Sequence, residues 1–227
     1  VGQIIFLKFK IRNTMKNIFK LSIVALVTFS AVSCKKEYSQ VSRVVTPSYP
    51  TINFPNGKFF SIKVGQAAPQ IVANAYDSSL KQAMGVTYDP SVIDNTTAGL
   101  YVVPVTSEKN GNGYFSADAA YVAVTNIDTA VSLNGTWDRQ GFTTFQTLTE
   151  VKNGLYQIVN IGGAAGAVGY LCQKDSSSFS FPVQPTVYGD MYFTQTSLRM
   201  ISSRRDTMRY VVINAGFGTA LRTFVKR

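Results

Sequence analysis

Beyond residue 57 the chain alternates between apolar and polar positions. KFFSIKV (58–64), QIVANAY (70–76), GLYVVPV (99–105) and AAYVAVT (119–125) carry β-branched or aromatic residues near period two. Side chains two apart on a strand share a face, so each stretch predicts a strand with one buried side. The clusters FPNG, VGQAAP, YDSS, DNTTAG and KNGNG lie between them and read as turns. Pro104 cannot donate to a ladder and is expected at a sheet edge or a bulge. The same period returns in stretches at 133–142, 152–163, 167–173, 178–185, 189–202 and 208–226, bounded by Gly, Asn, Asp or Ser.

No amphipathic helical period interrupts this pattern, so the predicted class is all-β. We expect an antiparallel sandwich over residues 46–126. A second antiparallel β-sandwich or barrel-like domain is expected over residues 129–227. The polar residues 126–129 between them read as a linker at which the two would separate.

Residues 21–32, LSIVALVTFSAV, break the alternation as an unbroken apolar run. A dozen residues match the hydrophobic region of a signal peptide and are too short to span a bilayer as a helix. The basic stretch MKNIFK precedes the run, and Ala31-Val32-Ser33-Cys34 ends it. Small residues before a cysteine suit a signal peptidase, and the cysteine thiol is the group that would receive diacylglycerol. A buried cysteine ending a hydrophobic helix is the competing reading. The stretch resembles a bacterial lipobox, with Ala31 where leucine is common. Residues 1–33 are therefore expected to be removed, with Met15 as the initiator. Residues 34–45 then form a lipidated N-terminus and polar tether.

Removing that segment changes the charge. The chain holds 22 basic and 12 acidic residues, a formal +10, and five of the basic residues but no acid lie in 1–33. The remainder carries 17 against 12, or +5, a moderate excess that is only weak evidence for nucleic acid and is weakened further by a secreted location, so no nucleic-acid partner is expected. Histidine is absent, which removes Ser-His-Asp and Cys-His catalysis and His-ligated zinc. With Cys34 lipidated, Cys172 has no disulfide partner; in VGYLCQK it reads as a small core residue. No cofactor and no metal are expected.

The Gly-rich IGGAAGAVG (161–169) lacks the Gly-Lys-Ser/Thr and helix of a phosphate loop and reads as a hairpin connection. Asp138, Glu150, Asp175, Asp190 and Asp206 are scattered beside turns rather than paired as in a glycosidase. The chain therefore reads as non-enzymatic.

Aromatic residues are the stronger lead. Sugars present apolar C–H faces that stack on Trp or Tyr. Trp137 is the single tryptophan, and in VYGDMYF residues Tyr188, Asp190 and Tyr192 alternate, which on a strand would put them on one face. Tyr188 and Tyr192, then Trp137, with Asp190 as hydroxyl acceptor, are the candidate ligand-binding residues. The competing reading makes these rings core. The C-terminal basic residues Arg199, Arg204, Arg205, Arg209, Arg222, Lys226 and Arg227 read either as a patch for anionic glycan or lipopolysaccharide, or as charged edges that block strand pairing.

Pro50-x-Ile52, Val64-Gly65, Ala75-Tyr76-Asp77, Gly99-x-Tyr101-x-Val103-x-Val105 and Gly111-Asn112 together look like the bacterial immunoglobulin-like domains of secreted proteins. Lys109 and Asn110 stand where that family carries an acid. The full order runs from lipobox and tether through an Ig-like domain to a β domain opening on NGTWDR and closing on NAGFGTALRTF. It resembles two-domain surface lipoproteins of Bacteroidota associated with glycan-uptake systems related to starch utilisation. The resemblance implies a lipid-anchored outer-membrane protein, glycan as ligand and outer-membrane uptake proteins as partners. The alternative is a structural or adhesin-like surface protein making protein–protein contacts.

Overall fold

The computed structural model describes residues 47–127, 132–201 and 206–227. Cys34, the tether and the signal segment lie outside them, as do Arg204 and Arg205. The described chain is all-β, and residues 47–227 form one compact unit. Two sheet systems, each with its own core, make up that unit.

The first is a sandwich. One sheet joins β1 (Thr51–Asn53), β3 (Asn74–Asp77) and β4 (Gln82–Met84) in the order β1-β3-β4. The other joins β2 (Phe59–Lys63), β5 (Val86–Tyr88), β6 (Gly99–Ser107) and β7 (Ala117–Thr125) in the order β2-β7-β6-β5. Pairing is antiparallel except for β2 on β7, which run parallel, a departure from the wholly antiparallel sandwich expected. Val103, Val105, Ala120, Val122 and Val124 fill the space between the sheets with Ile71 and Ile93. Pro104 sits just past the end of β5, where Tyr88 pairs with Val105, so at Pro104 the strand β6 has β7 on one side only. No ladder bond is lost there.

Asp77 organises one end of this sandwich. Its buried carboxylate accepts bonds from Ser48 Oγ (2.6 Å), Asn110 Nδ2 (2.6 Å) and the backbone N–H groups of Ser79 and Leu80 (both 3.0 Å). The amide of Asn110 explains why that position is not an acid: a carboxylate there would face Asp77 with like charge. These bonds, that of Ser48 first, lower the Asp77 carboxyl to about 2. A pKa depressed by folding contributes stability that is complete above the unfolded value near 3.8 and is lost as pH falls through about 2. In urea midpoints measured against pH, Asp77→Asn is expected to lack part of the decline that the parent protein shows below pH ~4.

The second system is a single nine-stranded antiparallel sheet. Its strands are β8 (Gly135–Arg139), β9 (Phe145–Lys152), β10 (Leu155–Val159), β11 (Val168–Gln173), β12 (Phe179–Ser180), β13 (Gln184–Thr186), β14 (Gly189–Arg199), β15 (Thr207–Ile213) and β16 (Leu221–Lys226). Each pairs with its sequence neighbour, except across β12 and β13, and β16 returns to pair with β8. The sheet curls until its ends meet. Phe193 N–H donates to Phe181 O (3.0 Å) and Leu198 N–H to Ser177 O (2.7 Å). A bulge at residues 194–197, with Gln195 at φ 51°, bends the long β14 so that it can make both contacts.

The barrel interior is packed with side chains. Phe181 stacks on Phe193 (4.1 Å between ring centres), Phe193 on Tyr210 (4.0 Å) and Tyr210 on Phe224 (5.5 Å). Trp137, Tyr156, Leu148, Ile158, Leu171 and Met191 complete this core.

The two systems are locked together, and the linker between them is not free at its start. Leu100, Ala123, Leu155 and Cys172 are buried as one cluster, flanked by the mutually packed rings of Phe59, Tyr121 and Tyr170. Thr125 Oγ1 donates to Gln173 O (2.7 Å), and Asn126 N–H to Lys174 O (2.9 Å). Cys172 is fully buried, and that burial pushes its thiol up to about 12.

Candidate functional site at the barrel mouth

In a meander barrel alternate connections fall at the same end. The turn at 153–154 and the loop at 174–178 face the sandwich, as the bonds from Thr125 and Asn126 show. Residues 140–144, 160–167, 187–188 and 214–220 therefore gather at the opposite end, and their contacts confirm it. Tyr188 Oη donates to Ala165 O (2.8 Å), and its ring meets Phe217 edge-on at 5.8 Å. Asn214 Nδ2 donates to Tyr188 O (2.9 Å). The Arg139 guanidinium lies 3.9 Å from the Phe142 ring centre.

Local geometry places each part. Thr186 pairs with Gly189, so Val187 and Tyr188 form the tight turn between β13 and β14. Gly189 takes the left-handed conformation, at φ 87°, that closes the turn. The connection at 160–167 is built from Asn160, Gly162, Gly163 and Gly166, all at positive φ. It is a hairpin connection, as its composition suggested. Its turn at Ile161–Gly163 folds over the barrel end, with Ile161 and Gly162 buried.

Beneath this turn lies a polar cluster. Gly162 N–H donates to Tyr210 Oη (3.1 Å), which donates to Gln146 Oε1, while Gln146 Nε2 contacts Met208 Sδ at 3.3 Å. Complete burial raises the Tyr210 hydroxyl far above its usual range, so it stays protonated and available as a donor. Arg222 completes the cluster. On β16 it shares the inward face with Phe224, and it is only 6% exposed. Its Nη2 donates to Phe217 O (2.9 Å), and its charge lies 5.2 Å from the Phe217 ring centre. Burial, followed by the nearby charge of Arg139, lowers its pKa.

The residues expected to bind ligand are dispersed. Tyr188 is at the mouth and 48% exposed. Tyr192 and Asp190 are not on its face: Tyr188 is a turn residue, and the other two point outward from the wall of β14. Trp137 must be corrected. It is 0% exposed, and its Nε1–H is satisfied by Leu133 O at 2.9 Å, so it is a core residue of the barrel. The C-terminal basic residues do not form one patch either. Arg227 makes a bidentate pair with Asp138, at 2.8 Å for both bonds, Lys226 Nζ donates to Ser132 O, and Arg222 is interior.

A second concavity lies between the two systems. A groove of about 510 Å³ follows edge strand β2 and is lined by Phe60, Ile62, Lys63, Pro69, Lys152 and Asn153. Ser61 Oγ donates across it to Asn153 O (2.5 Å).

Fold and site thus define an all-β envelope of sandwich and meander barrel with a looped, aromatic mouth. A lipoprotein of Bacteroides thetaiotaomicron, known from its crystal structure, is similar at 15% identity and a TM-score of 0.33. The alignment covers 78% of this chain and 100% of that one. No protein-family model matches the sequence, and no curated protein does.

Proposed function

We propose that this chain is a lipid-anchored cell-envelope protein, held at the outer membrane through Cys34, whose barrel mouth binds glycan without catalysis as an accessory to an uptake system. One observation carries the binding part. The half-exposed Tyr188 ring is held in place at the mouth by Ala165 O, Asn214 and Phe217. A ring already fixed loses little freedom when a sugar face stacks on it. The mouth lies at the barrel end away from the sandwich, and the sandwich follows the tether. The lipobox motif and the polar tether support the anchor.

The competing reading is a protein-contact role for the open edge of β2 and its groove. One experiment separates the two. Residues 35–227 contain the whole compact unit and can be applied to a glycan array, and Tyr188→Ala compared with the parent. We expect at least tenfold weaker binding in the variant, or about 1.4 kcal/mol. Its stability should change by no more than about 1 kcal/mol, because one hydrogen bond and one exposed ring contact are lost. Binding that survives Tyr188→Ala would move the site elsewhere.

A further inference from the structure

The outer edge of β2 offers backbone groups to a further strand. Tyr121 N–H donates to Lys58 O (2.8 Å) and Val64 N–H to Thr125 O (3.3 Å), so Lys58, Phe60, Ile62 and Val64 turn their backbone groups toward β7. That direction alternates along a strand, so Phe59 and Ser61 turn theirs the other way. Among the described residues no strand lies on that side. The edge closes at Lys63, whose N–H donates to Gln66 Oε1 (2.7 Å) and whose carbonyl accepts from Gln66 N–H (3.0 Å).

Open edges are usually blocked by charge or proline within the strand. Phe59 to Ile62 carry neither. Shape protects them instead. The turn at Lys152 and Asn153 overhangs the edge, tied to it by Ser61 Oγ, and makes it one wall of a groove. A strand residue takes up about 3.3 Å along the chain, 4.8 Å sideways and 10 Å between layers, so 510 Å³ admits about three residues of a single strand. The edge of a second sheet would collide with the turn. The two sides of the groove differ. Half-buried Phe60 and Ile62, with Pro69, give an apolar wall, and Lys152 stands on the barrel side. Of the lining residues, Lys63 and Lys152 are cationic and none is acidic. The segments that build the walls, 47–76 and 151–174, contain no Asp or Glu.

We infer that β2 takes an extended segment of a partner protein as an added antiparallel strand, its apolar side chains over Phe60 and Ile62 and its carboxylates toward Lys152. Strand addition draws affinity from main-chain bonds and specificity from alternate side chains. Here the bonds come from Phe59 and Ser61, and the two unlike walls select a segment that alternates apolar and acidic residues. The groove lies at the sandwich end of the barrel and the mouth at the other, so this surface adds to the glycan reading and does not rest on it.

Amide NMR titration of residues 35–227 with two synthetic peptides, acidic TVEVEVT and basic TVKVKVT, tests it at physiological salt. The acidic peptide is expected to shift the Phe59 and Ser61 amides and to bind at least fivefold tighter than the basic one. Ser61→Pro removes an outward N–H that the β7 ladder does not use, a substitution that edge strands tolerate. It should weaken the acidic peptide at least tenfold. Ser61→Ala loses only the hydroxyl bond to Asn153 and should keep that peptide within about threefold, since the backbone donor remains. Lys152→Glu changes an exposed turn residue and should reverse the preference between the peptides, which tests the charge even if the proline variant fails to fold. Equal binding of the two peptides to the parent protein would overturn the acidic partner. Acidic-peptide binding that survives Ser61→Pro, or shifts that appear at the mouth instead of β2, would overturn strand addition. Self-association of the parent protein in sedimentation, lost in Ser61→Pro, would make a second copy of this chain the occupant and overturn the proposal. Failure of both peptides to bind at millimolar concentration would overturn it as well.

Discussion

Trp137→Ala is expected to destabilise the protein by about 3–5 kcal/mol, the range for emptying a buried aromatic site. The indole is fully enclosed among the barrel residues, so its removal leaves a cavity that rigid neighbours on β9 and β16 cannot close. It also leaves Leu133 O without the 2.9 Å bond from Nε1. Phenylalanine at the same position keeps most of the volume and should recover much of the loss. Thermal denaturation checks both variants. A change in Trp137→Ala below about 1 kcal/mol would mean the ring is not core.

The second large effect is expected at Gly162. Its φ of 64° lies in the left-handed region, where a Cβ costs about 1–2 kcal/mol. Crowding adds to this. A Cβ would come within 2.6 Å of Arg222 Nη1 and 3.0 Å of Val212 Cγ2. Arg222 is tied to Phe217 O, so it can yield only by breaking that bond. Overpacking of this kind typically costs a further 1–3 kcal/mol. Gly162→Ala should therefore lose about 2–4 kcal/mol in denaturant titration, whereas Gly166→Ala should lose only the backbone part. Gly166 shares the positive φ, at 77°, but no atom lies within 4 Å of its Cβ position. Equal losses at the two positions would mean that the guanidinium is not pressed against the turn.

These two residues show what periodicity can and cannot reveal. Alternation marks β2, β6, β7, β10, β11 and β15, because apolar residues recur along each; β6, β7, β10 and β11 are apolar on the second face as well, where the two systems meet. It misses β9, whose inward positions include Gln146 as well as Leu148, so the apolar signal is diluted by a polar residue serving Tyr210. Residues 70–73 alternate like a strand but do not form one. β3 begins at Asn74, because its partner β1 supplies only three residues to pair with. The pairing of β16 with β8 joins segments far apart in sequence, and nothing local in either encodes it.

The site was legible only in part. Tyr188 stands out as an aromatic in a turn, but the alternation that joined it to Tyr192 ends at the turn, where strand geometry no longer applies. Arg222 was grouped with surface cations by counting charge along the chain. The signal that places it inside was present: in LRTFVK it is two residues from Phe224, so the two share the inward face. The acid expected near residue 110 is missing for a reason that only the fold supplies, since Asn110 faces the Asp77 carboxylate.

The central claim is that the looped end of the barrel is where this protein meets its ligand. The most direct measurement is an amide NMR titration of residues 35–227 with the tightest-binding oligosaccharide. Shifts confined to residues 140–144, 160–167, 187–188 and 214–220 are the expected result. Shifts along β2 and at Lys152 and Asn153, with the mouth unmoved, would contradict it.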